Sequence, residues 1–232
     1  YEGDYSLIGT TETPVDEPGA KALTQAEETY LLEAVNRSLA KPLTPDDIVH
    51  RFAGVRPLVL EEGKGARETT RDWKLVPHEG AAATTVVGGK ITTYRLLAEA
   101  VLKQLFPKTR PWTKGAVLPG GDIPRTRATA LADFETWLID LKARHHLYDP
   151  AIVQRMARPS ATEIYTLLDG GLGANLGGIF EAELQHMASR EWATTADDVL
   201  WRRTKMGLHL DAKAKANVAA FFGARAPVSA QG

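Results

Sequence analysis

The 232-residue chain carries 28 lysines and arginines against 29 aspartates and glutamates, and 44% of its residues are hydrophobic. This balance is typical of a globular protein and excludes a disordered chain or a strongly basic protein that coats nucleic acid. Because the chain has no cysteine, disulfides, a thiolate nucleophile and cysteine-based metal sites are excluded, and a cytoplasmic location is favoured. No apolar run approaches the roughly 18 residues of a membrane span, so we expect at most peripheral membrane contact.

The first forty residues predict a strand and then a helix. Residues 5–11 combine apolar and β-branched side chains and are followed by proline and glycine, which is typical of a strand that ends in a loop. Thr24 and Glu27 have the spacing of a capping box, and apolar residues follow at helical spacing, which predicts a helix over residues 25–40. Since the chain begins with Tyr1 rather than methionine, we expect it to be a fragment of a longer polypeptide.

Short segments of mixed structure are predicted between residues 44 and 87. A short helix begins at Thr44, with a proline at its first position, and β character returns over residues 48–60. After a polar loop, residues 70–76 and 81–87 alternate or run apolar as strands do. Turn residues separate these two segments, so we predict a β-hairpin.

The predicted hairpin leads into Gly88-Gly89-Lys90-Ile91-Thr92-Thr93, here called the glycine–lysine turn. A helix is predicted directly after it, because apolar residues recur at helical spacing from Tyr94 to Leu105 before a proline. Backbone N–H groups at a helix start have no partner within the helix, glycines let a ligand approach them, and Lys90 adds a positive charge. Thr92 or Thr93 can cap the helix. The turn therefore predicts an anion site, with an ordinary strand–turn–helix connection as the alternative.

Three segments, the glycine–lysine turn among them, resemble known sites but lack the necessary context. The glycine–lysine turn is not a P-loop, because Ile91 occupies the position of the magnesium-binding hydroxyl and Thr84 that of the first glycine. The glycines of Gly171–Gly177 follow a predicted helix rather than a strand, so we predict a loop between helices and not a dinucleotide fingerprint. The basic segment Trp201–Lys205 could be a recognition helix for nucleic acid, but the acids just upstream, Asp197 and Asp198, favour a helix whose tryptophan packs inward and whose arginines pair with acids. The six histidines show no metal-ligand spacing, so no metal site is predicted.

The chain divides into a mixed half and a helical half. The turn-rich residues 111–124 predict a linker, and everything after them reads as helical. Helices are predicted over residues 126–146, 180–192 and 212–222. Ser160-Ala161-Thr162-Glu163 and Thr195-Ala196-Asp197-Asp198 have the pattern of capping boxes. The predicted fold class is α+β, with a mixed domain over residues 1–110 and an all-α domain over residues 111–232.

Three cations stand in the mixed half of the chain: Arg56 before a proline, Arg71 beside an aspartate, and Lys90. Both arginines lie within or at the border of predicted strands, and a strand can hold a guanidinium rigidly for bidentate contacts with an oxyanion. Each of them is more often structural when taken singly. Together the three cations suit a phosphorylated substrate.

The motifs that carry these cations occur together in one family. The mixed half contains Phe52-Ala53-Gly54-Val55-Arg56-Pro57-Leu58, then Thr70-Arg71-Asp72-Trp73, then Val87-Gly88-Gly89-Lys90-Ile91-Thr92-Thr93-Tyr94-Arg95. The helical half contains Glu181-Ala182-Glu183-Leu184 and Ala196-Asp197-Asp198-Val199-Leu200-Trp201-Arg202-Arg203-Thr204-Lys205. With these motifs in this order, the chain resembles the C-terminal portion of FAD-dependent, quinone-linked (aerobic) glycerol-3-phosphate dehydrogenases over nearly its whole length.

The resemblance implies oxidation of sn-glycerol 3-phosphate at C2 to dihydroxyacetone phosphate, with electrons passing through FAD to a membrane quinone. It implies catalytic roles for Arg56 and Lys90 and substrate contacts for Arg56, Arg71 and Lys90. It implies flavin contacts for Gly88, Gly89, Lys90, Ile91, Thr92 and Thr93. For the full-length enzyme it leaves open a homodimer and peripheral contact with the cytoplasmic face of the inner membrane.

One part of the family pattern is missing from these residues. The family's N-terminal strand and Gly-x-Gly-x-x-Gly turn, which hold the FAD pyrophosphate, do not occur in the 232 residues. We therefore expect the chain alone to retain no FAD and to be inactive. Two other functions stay open: a non-catalytic helical module for dimerisation or membrane contact, and a glycerol-3-phosphate oxidase that uses oxygen. The charge balance argues against a nucleic-acid partner.

Overall fold

The structure of the protein is a computed structural model that describes residues 3–17, 19, 22–56, 72–126 and 129–224. The chain divides into two compact units. The N-terminal unit comprises residues 1–116, and the helical unit comprises residues 117–232. Among the described residues, no helix combines the length and the apolar character that a membrane span requires.

In its described residues, the N-terminal unit contains two helices, one hairpin and three short 3-10 turns. Helix α1 spans Gln25–Asn36 and helix α2 spans Tyr94–Leu105. Strands β1 (Lys74–Pro77) and β2 (Thr84–Val87) pair in antiparallel register, with Lys74 opposite Val87 and Pro77 opposite Thr84. The 3-10 turns span Pro45–Asp47, Ile91–Thr93 and Thr113–Gly115. The predicted hairpin is confirmed, although its strands are shorter than predicted.

Helix α1 begins where the capping box predicts. The Glu27 amide donates to the Thr24 hydroxyl at 3.3 Å, and the Glu27 carboxylate accepts from the Thr24 amide at 3.0 Å. The helix ends at Asn36 rather than at residue 40. The Asn36 side chain donates to the Leu43 carbonyl at 2.9 Å and accepts from the Leu43 amide at 2.8 Å. These bonds offer the chain an alternative to a further helical turn, as asparagine side chains often do.

Two predicted strands are wrong in the described part of the chain. Residues 5–11 and 48–56 are irregular, and residues 57–60 of the second segment lie outside the described residues. A strand needs a neighbour for its backbone hydrogen bonds. Within the described residues the only sheet has two strands, β1 and β2, and neither segment joins it.

The helical unit contains five α-helices between residues 129 and 224. They are α3 (Ala130–Arg144), α4 (Pro150–Ser160), α5 (Ile164–Asp169), α6 (Glu181–Arg190) and α7 (Ala212–Gly223). Short 3-10 turns at Ala161–Glu163 and Met206–Leu208 and a π-helical turn at Asp198–Arg203 connect them. The predicted helical character of this half is confirmed. His145 and His146 lie in the turn after α3 rather than on a helix.

Two hydrophobic clusters form the core of the helical unit. The first, from α3 to the loop after α5, contains Trp137, Leu138, Leu141, Val153, Met156, Ala157, Ile164, Leu167, Leu168 and Leu172. The second, around α6 and α7, contains Ile179, Leu184, Met187, Ala193, Val199, Leu200, Met206, Leu210, Ala214 and Val218. The Arg155 guanidinium of α4 makes two 2.7 Å bonds to the Glu183 carboxylate of α6. Because α4 contributes to the first cluster and α6 to the second, this ion pair links the two clusters.

Local signals in the helical unit give three confirmed predictions and one error. Residues 171–180 are a loop between α5 and α6, as predicted, and a Cβ on Gly177 would come within 2.5 Å of Ala214 Cβ. Trp201 packs against the second cluster, while Arg202 pairs with Asp198 at 2.9 Å. The Thr195–Asp198 capping box is present. The predicted box at Ser160 is wrong, because α4 continues through Ser160, which makes no side-chain capping bond.

Candidate functional site

The glycine–lysine turn connects β2 to α2 through two residues in left-handed conformations. Gly88 has φ 70° and Gly89 has φ 109°, values that residues other than glycine rarely adopt. A Cβ on Gly89 would also meet Trp73 Cβ at 3.3 Å and Leu97 Cδ2 at 3.8 Å. Gly89 is therefore required by the packing of its own unit, whatever else the turn binds.

After the glycines the chain enters a 3-10 turn, Ile91–Thr93, that continues into α2. The Thr93 hydroxyl donates to the Lys90 carbonyl at 2.9 Å and makes no capping bond to α2. The sequence predicts that Thr92 or Thr93 caps the helix; Thr93 stands at the N-cap position of α2, but its side chain makes no capping bond, so the prediction is wrong for Thr93. The first N–H groups of such a turn have no partner within it, so they can face a ligand. Ile91 is 88% exposed, and its side chain adds an apolar surface beside these amides.

Lys90 extends from the turn toward Asp72, which precedes β1. The Lys90 ammonium lies 3.3 Å from the Asp72 carboxylate, with the two side chains 49% and 67% exposed. An ion pair this exposed contributes little to stability and exchanges readily with other ions. Lys90 therefore keeps a positive charge at the surface beside the glycines, where an anion could replace Asp72.

Arg56 lies in an irregular segment rather than in a strand, which corrects the sequence prediction. Its guanidinium donates to the Glu12 carboxylate at 3.2 Å, and the Arg56 side chain is 51% exposed. Arg56 and Lys90 pair with different carboxylates, Glu12 and Asp72. Arg71, the third predicted cation, lies outside the described residues. The structure therefore shows the glycine–lysine turn between β2 and α2. That Arg56, Arg71 and Lys90 converge on one site stays a prediction.

Two acidic partners of the predicted cations were missed by sequence reasoning. Glu12 is 44 positions from Arg56, a separation at which no local pattern indicates a contact. Asp72 stands next to Arg71 in the sequence, so its position favours a contact with that arginine over the one with Lys90 that the structure shows. Only the hairpin register could have indicated the second pair, because it brings the residues before β1 close to those after β2.

The carboxylates at the start of α1 are strongly hydrogen-bonded. Bonds from the Thr24 amide, the Thr24 hydroxyl and the hydroxyls of Thr13 and Thr11 lower the pKa of Glu27 to about 2. A bond from the Arg51 guanidinium lowers the pKa of Glu28 from its ordinary value. Both carboxylates are therefore ionised at neutral pH and act as fixed acceptors.

Two cavities lie away from the predicted site residues. One, of about 300 Å³, is lined by the end of α2 and the following segment, including Lys103, Arg110 and Trp112. The other, of about 360 Å³, belongs to the helical unit and is lined by Asp133, Trp137 and neighbouring residues. No group of three His, Asp or Glu side chains in the described part of the chain could hold a metal ion.

Comparison with known proteins identifies relatives of the whole chain. No family model matches it. The chain is 39% identical to D-erythritol 1-phosphate dehydrogenase of Brucella abortus over 96% of its own length, which is 46% of that protein. It is 38% identical to glycerol-3-phosphate dehydrogenase of Pseudomonas aeruginosa and 36% identical to aerobic glycerol-3-phosphate dehydrogenase of Escherichia coli, over 90% and 93% of the chain.

The chain spans less than half the length of these curated relatives, 42% to 46%. Its own coverage is nearly complete, so the similarity is not confined to a short motif. The resemblance predicted from the motifs is confirmed: over nine-tenths of its length or more, the chain is homologous to part of the proteins named glycerol-3-phosphate dehydrogenase.

Proposed function

We propose that the chain is the C-terminal portion of an FAD-dependent dehydrogenase that oxidises sn-glycerol 3-phosphate to dihydroxyacetone phosphate. The observation that carries this proposal is the glycine–lysine turn, with two left-handed glycines before an exposed lysine, in a chain homologous to glycerol-3-phosphate dehydrogenases. The N-terminal unit would then be part of a flavin and substrate domain, and the helical unit a separate C-terminal domain.

The residues of the turn fit the edge of a flavin. Because Gly88 has no side chain, a ring could approach its backbone closely, and Ile91 offers an exposed apolar surface beside it. The start of the 3-10 turn and of α2 favours negative charge on a ligand. Bound FAD supplies the hydride acceptor for oxidation at C2. In this proposal Gly88 to Thr93 line the ring, and Lys90 places its ammonium near both the ring and the substrate.

Cationic side chains suit the substrate and the reaction. The phosphate of sn-glycerol 3-phosphate is dianionic at neutral pH, and a guanidinium binds such a group through two parallel bonds. Oxidation at C2 removes a hydride from carbon and a proton from the hydroxyl, leaving a polarised carbonyl oxygen that a nearby cation stabilises. We assign Arg56 to the substrate or its developing carbonyl, Arg71 to support of the same pocket, and Lys90 to the reacting end.

The electron acceptor and the activity of the chain alone follow from the same proposal. We propose a membrane quinone as the acceptor, reached by peripheral contact with the inner membrane, as the resemblance to quinone-linked dehydrogenases implies. The 232 residues hold no strand followed by Gly-x-Gly-x-x-Gly, the motif that binds the FAD pyrophosphate. We therefore expect the 232 residues alone to retain no FAD and to be inactive.

A second substrate is favoured by one comparison. The relative named D-erythritol 1-phosphate dehydrogenase is 39% identical over 96% of the chain, against 38% and 36% for the two glycerol-3-phosphate dehydrogenases. Both substrates are polyol phosphates, so a phosphate-binding arginine suits either. The two substrates differ in the length of their carbon chains. An enzyme would therefore distinguish them by the space around the hydroxyl groups farthest from the phosphate.

The test uses the full-length, flavin-loaded protein with each polyol phosphate and with either a short-chain quinone or oxygen as acceptor. We expect turnover of sn-glycerol 3-phosphate with quinone, and a loss of about 100-fold in kcat/KM in Lys90→Met, the loss expected if one cation supplies about 2.7 kcal/mol. The matched control Lys108→Met removes an exposed lysine after α2 and should change nothing. Equal rates for the two lysine variants would overturn the assignment of Lys90. Flavin absorbance and turnover in the 232-residue chain alone would contradict its expected inactivity.

A further inference from the structure

The Glu27 carboxylate holds two segments of the N-terminal unit together. It accepts from the Thr24 amide at 3.0 Å and the Thr24 hydroxyl at 2.8 Å, which caps α1. It also accepts from the Thr11 hydroxyl at 3.0 Å and the Thr13 hydroxyl at 2.9 Å. These threonines flank Glu12, the ion-pair partner of Arg56. Glu27 therefore fixes both neighbours of Glu12 to the first turn of α1.

The next residue of α1, Glu28, holds the segment that leads to Arg56. Its carboxylate accepts from Nε and from one terminal nitrogen of the Arg51 guanidinium, so the contact has two points. The Glu28 side chain is only 18% exposed, which favours a well-defined geometry. Arg51 lies five positions before Arg56 in an irregular segment.

Each anchor alone leaves Arg56 considerable freedom. Five residues of extended chain reach about 17 Å, so fastening Arg51 does not by itself fix the Arg56 guanidinium. The exposed Arg56–Glu12 pair contributes little when isolated. No residue in the described part of the N-terminal unit is fully buried, so a hydrophobic core does not position these segments either. The polar contacts to α1 must do so.

We propose that Glu27 and Glu28, here called the acidic bracket, position Arg56 for the substrate by holding residues 11–13 and Arg51 on the first turn of α1. The proposal rests on the proposed function, because it assumes that Arg56 binds a polyol phosphate. Arg56 is the residue that contacts the substrate, and Glu27, Glu28, Thr11 and Thr13 are positioning residues.

Helix capping alone would not require all of these contacts. The capping box needs only Thr24 and Glu27. The hydroxyls of Thr11 and Thr13 add nothing to the cap, yet both donate to the same carboxylate oxygen. The double variant T11V/T13V therefore removes the positioning contact and keeps the cap, while T11S/T13S keeps both hydroxyls.

The first experiment measures steady-state kinetics of the full-length, flavin-loaded protein with sn-glycerol 3-phosphate. For T11V/T13V and separately for Glu28→Gln, we expect KM to rise about 5- to 10-fold, kcat to change less than 2-fold, and flavin content to stay the same. T11S/T13S should restore the wild-type KM. Glu33→Gln, an exposed glutamate on the same helix, is the control and should leave KM unchanged. An unchanged KM in both T11V/T13V and Glu28→Gln would overturn the proposal.

A second measurement separates failure of the bracket from failure of the proposed function. If the wild-type protein oxidises neither polyol phosphate, the proposed function fails, and the bracket is tested by ¹H–¹⁵N spectra of the arginine side chains in the full-length protein. The Arg56 resonance should shift and broaden in T11V/T13V and in Glu28→Gln but stay in place in Glu33→Gln. If the chemical shift and line width of the Arg56 resonance stay the same in all three variants, the bracket does not position this side chain.

Discussion

The two units of the chain have equal length but differ completely in how they are held together. In the described part of the helical unit, 20 hydrophobic side chains are buried, all between residues 137 and 218. In the described part of the N-terminal unit no residue is buried, and large apolar side chains such as Phe52, Ile91 and Trp112 are 70%, 88% and 66% exposed. The N-terminal unit relies on the capping box of α1, the hairpin and a few ion pairs.

This difference separates a unit that completes its own core from one that does not. A fully buried leucine or isoleucine contributes about 1.5–3 kcal/mol, whereas an exposed ion pair contributes about 0–1 kcal/mol. The helical unit therefore has the means to be stable alone, and the described N-terminal residues do not. The contrast supports the proposal that the N-terminal unit is part of a larger flavin and substrate domain, whose remaining residues would cover the exposed apolar side chains.

The largest effect is expected where the helical unit joins its two clusters. Arg155→Ala leaves the Glu183 carboxylate, whose side chain is 4% exposed, without its counter-ion. Breaking a buried pair in this way costs about 3–4 kcal/mol of unfolding free energy. Urea unfolding followed by circular dichroism measures the loss. The control Arg202→Ala removes an exposed pair with Asp198 and should cost at most about 0.5 kcal/mol. Equal costs for the two variants would show that the Arg155–Glu183 pair does not join the clusters.

A matched pair of leucines tests the contrast between the units directly. Leu141 in α3 is fully buried, and Leu105 at the end of α2 is 50% exposed. Leu141→Ala should lower the free energy of unfolding by about 3 kcal/mol, because it removes contacts and leaves a cavity. Leu105→Ala should lower it by less than about 1 kcal/mol in the same urea titration. A loss of similar size at Leu105 would mean that the N-terminal unit has a core of its own.

The elements that the sequence predicts correctly are those with local causes. The capping box at Thr24 and the hairpin before Gly88 depend on residues within a few positions of one another. The strands over residues 5–11 and 48–56 were predicted wrongly. Composition indicates only that a segment favours extended backbone, and a strand forms only where another strand lies beside it to accept its hydrogen bonds. The box at Ser160 failed for a related reason, since the pattern does not show that α4 runs through it.

For the candidate site, sequence chemistry identified individual residues but not their neighbours. The left-handed glycines and the exposed charge of Lys90 follow from the local sequence of the turn. The partner of Arg56 could not be predicted, because Glu12 is brought to it by the contacts of α1 with two distant segments. Long-range polar contacts leave no periodic pattern, and in the N-terminal unit they are the contacts that matter most.

The smallest effect concerns acid stability and compares carboxylates in the two units. Hydrogen bonds from the Thr194 amide, together with those of Thr195, lower the pKa of Asp198 to about 2, much as similar bonds do at Glu27. Because the folded pKa lies below the ordinary value of 3.8, the ionised carboxylate stabilises the fold above about pH 5. That contribution is lost as the pH falls toward 2, and for this partly exposed group it is on the order of 1 kcal/mol.

The variant Asp198→Asn should therefore be less stable than the wild type by about 1 kcal/mol at pH 7 and equally stable near pH 2. Unfolding free energies from urea titrations between pH 2 and pH 7 measure the convergence. Asp197→Asn, at the exposed neighbouring position, should show no comparable difference at any pH. If Asp198→Asn stays about 1 kcal/mol below the wild type down to pH 2, the bonds to Asp198 do not depend on its charge. Convergence would show that the hydrogen bonds from Thr194 and Thr195 stabilise the start of the π-helical turn only while Asp198 is ionised. The helical unit, which is held mainly by hydrophobic packing, would then also contain a charged capping contact like that of Glu27 in the N-terminal unit.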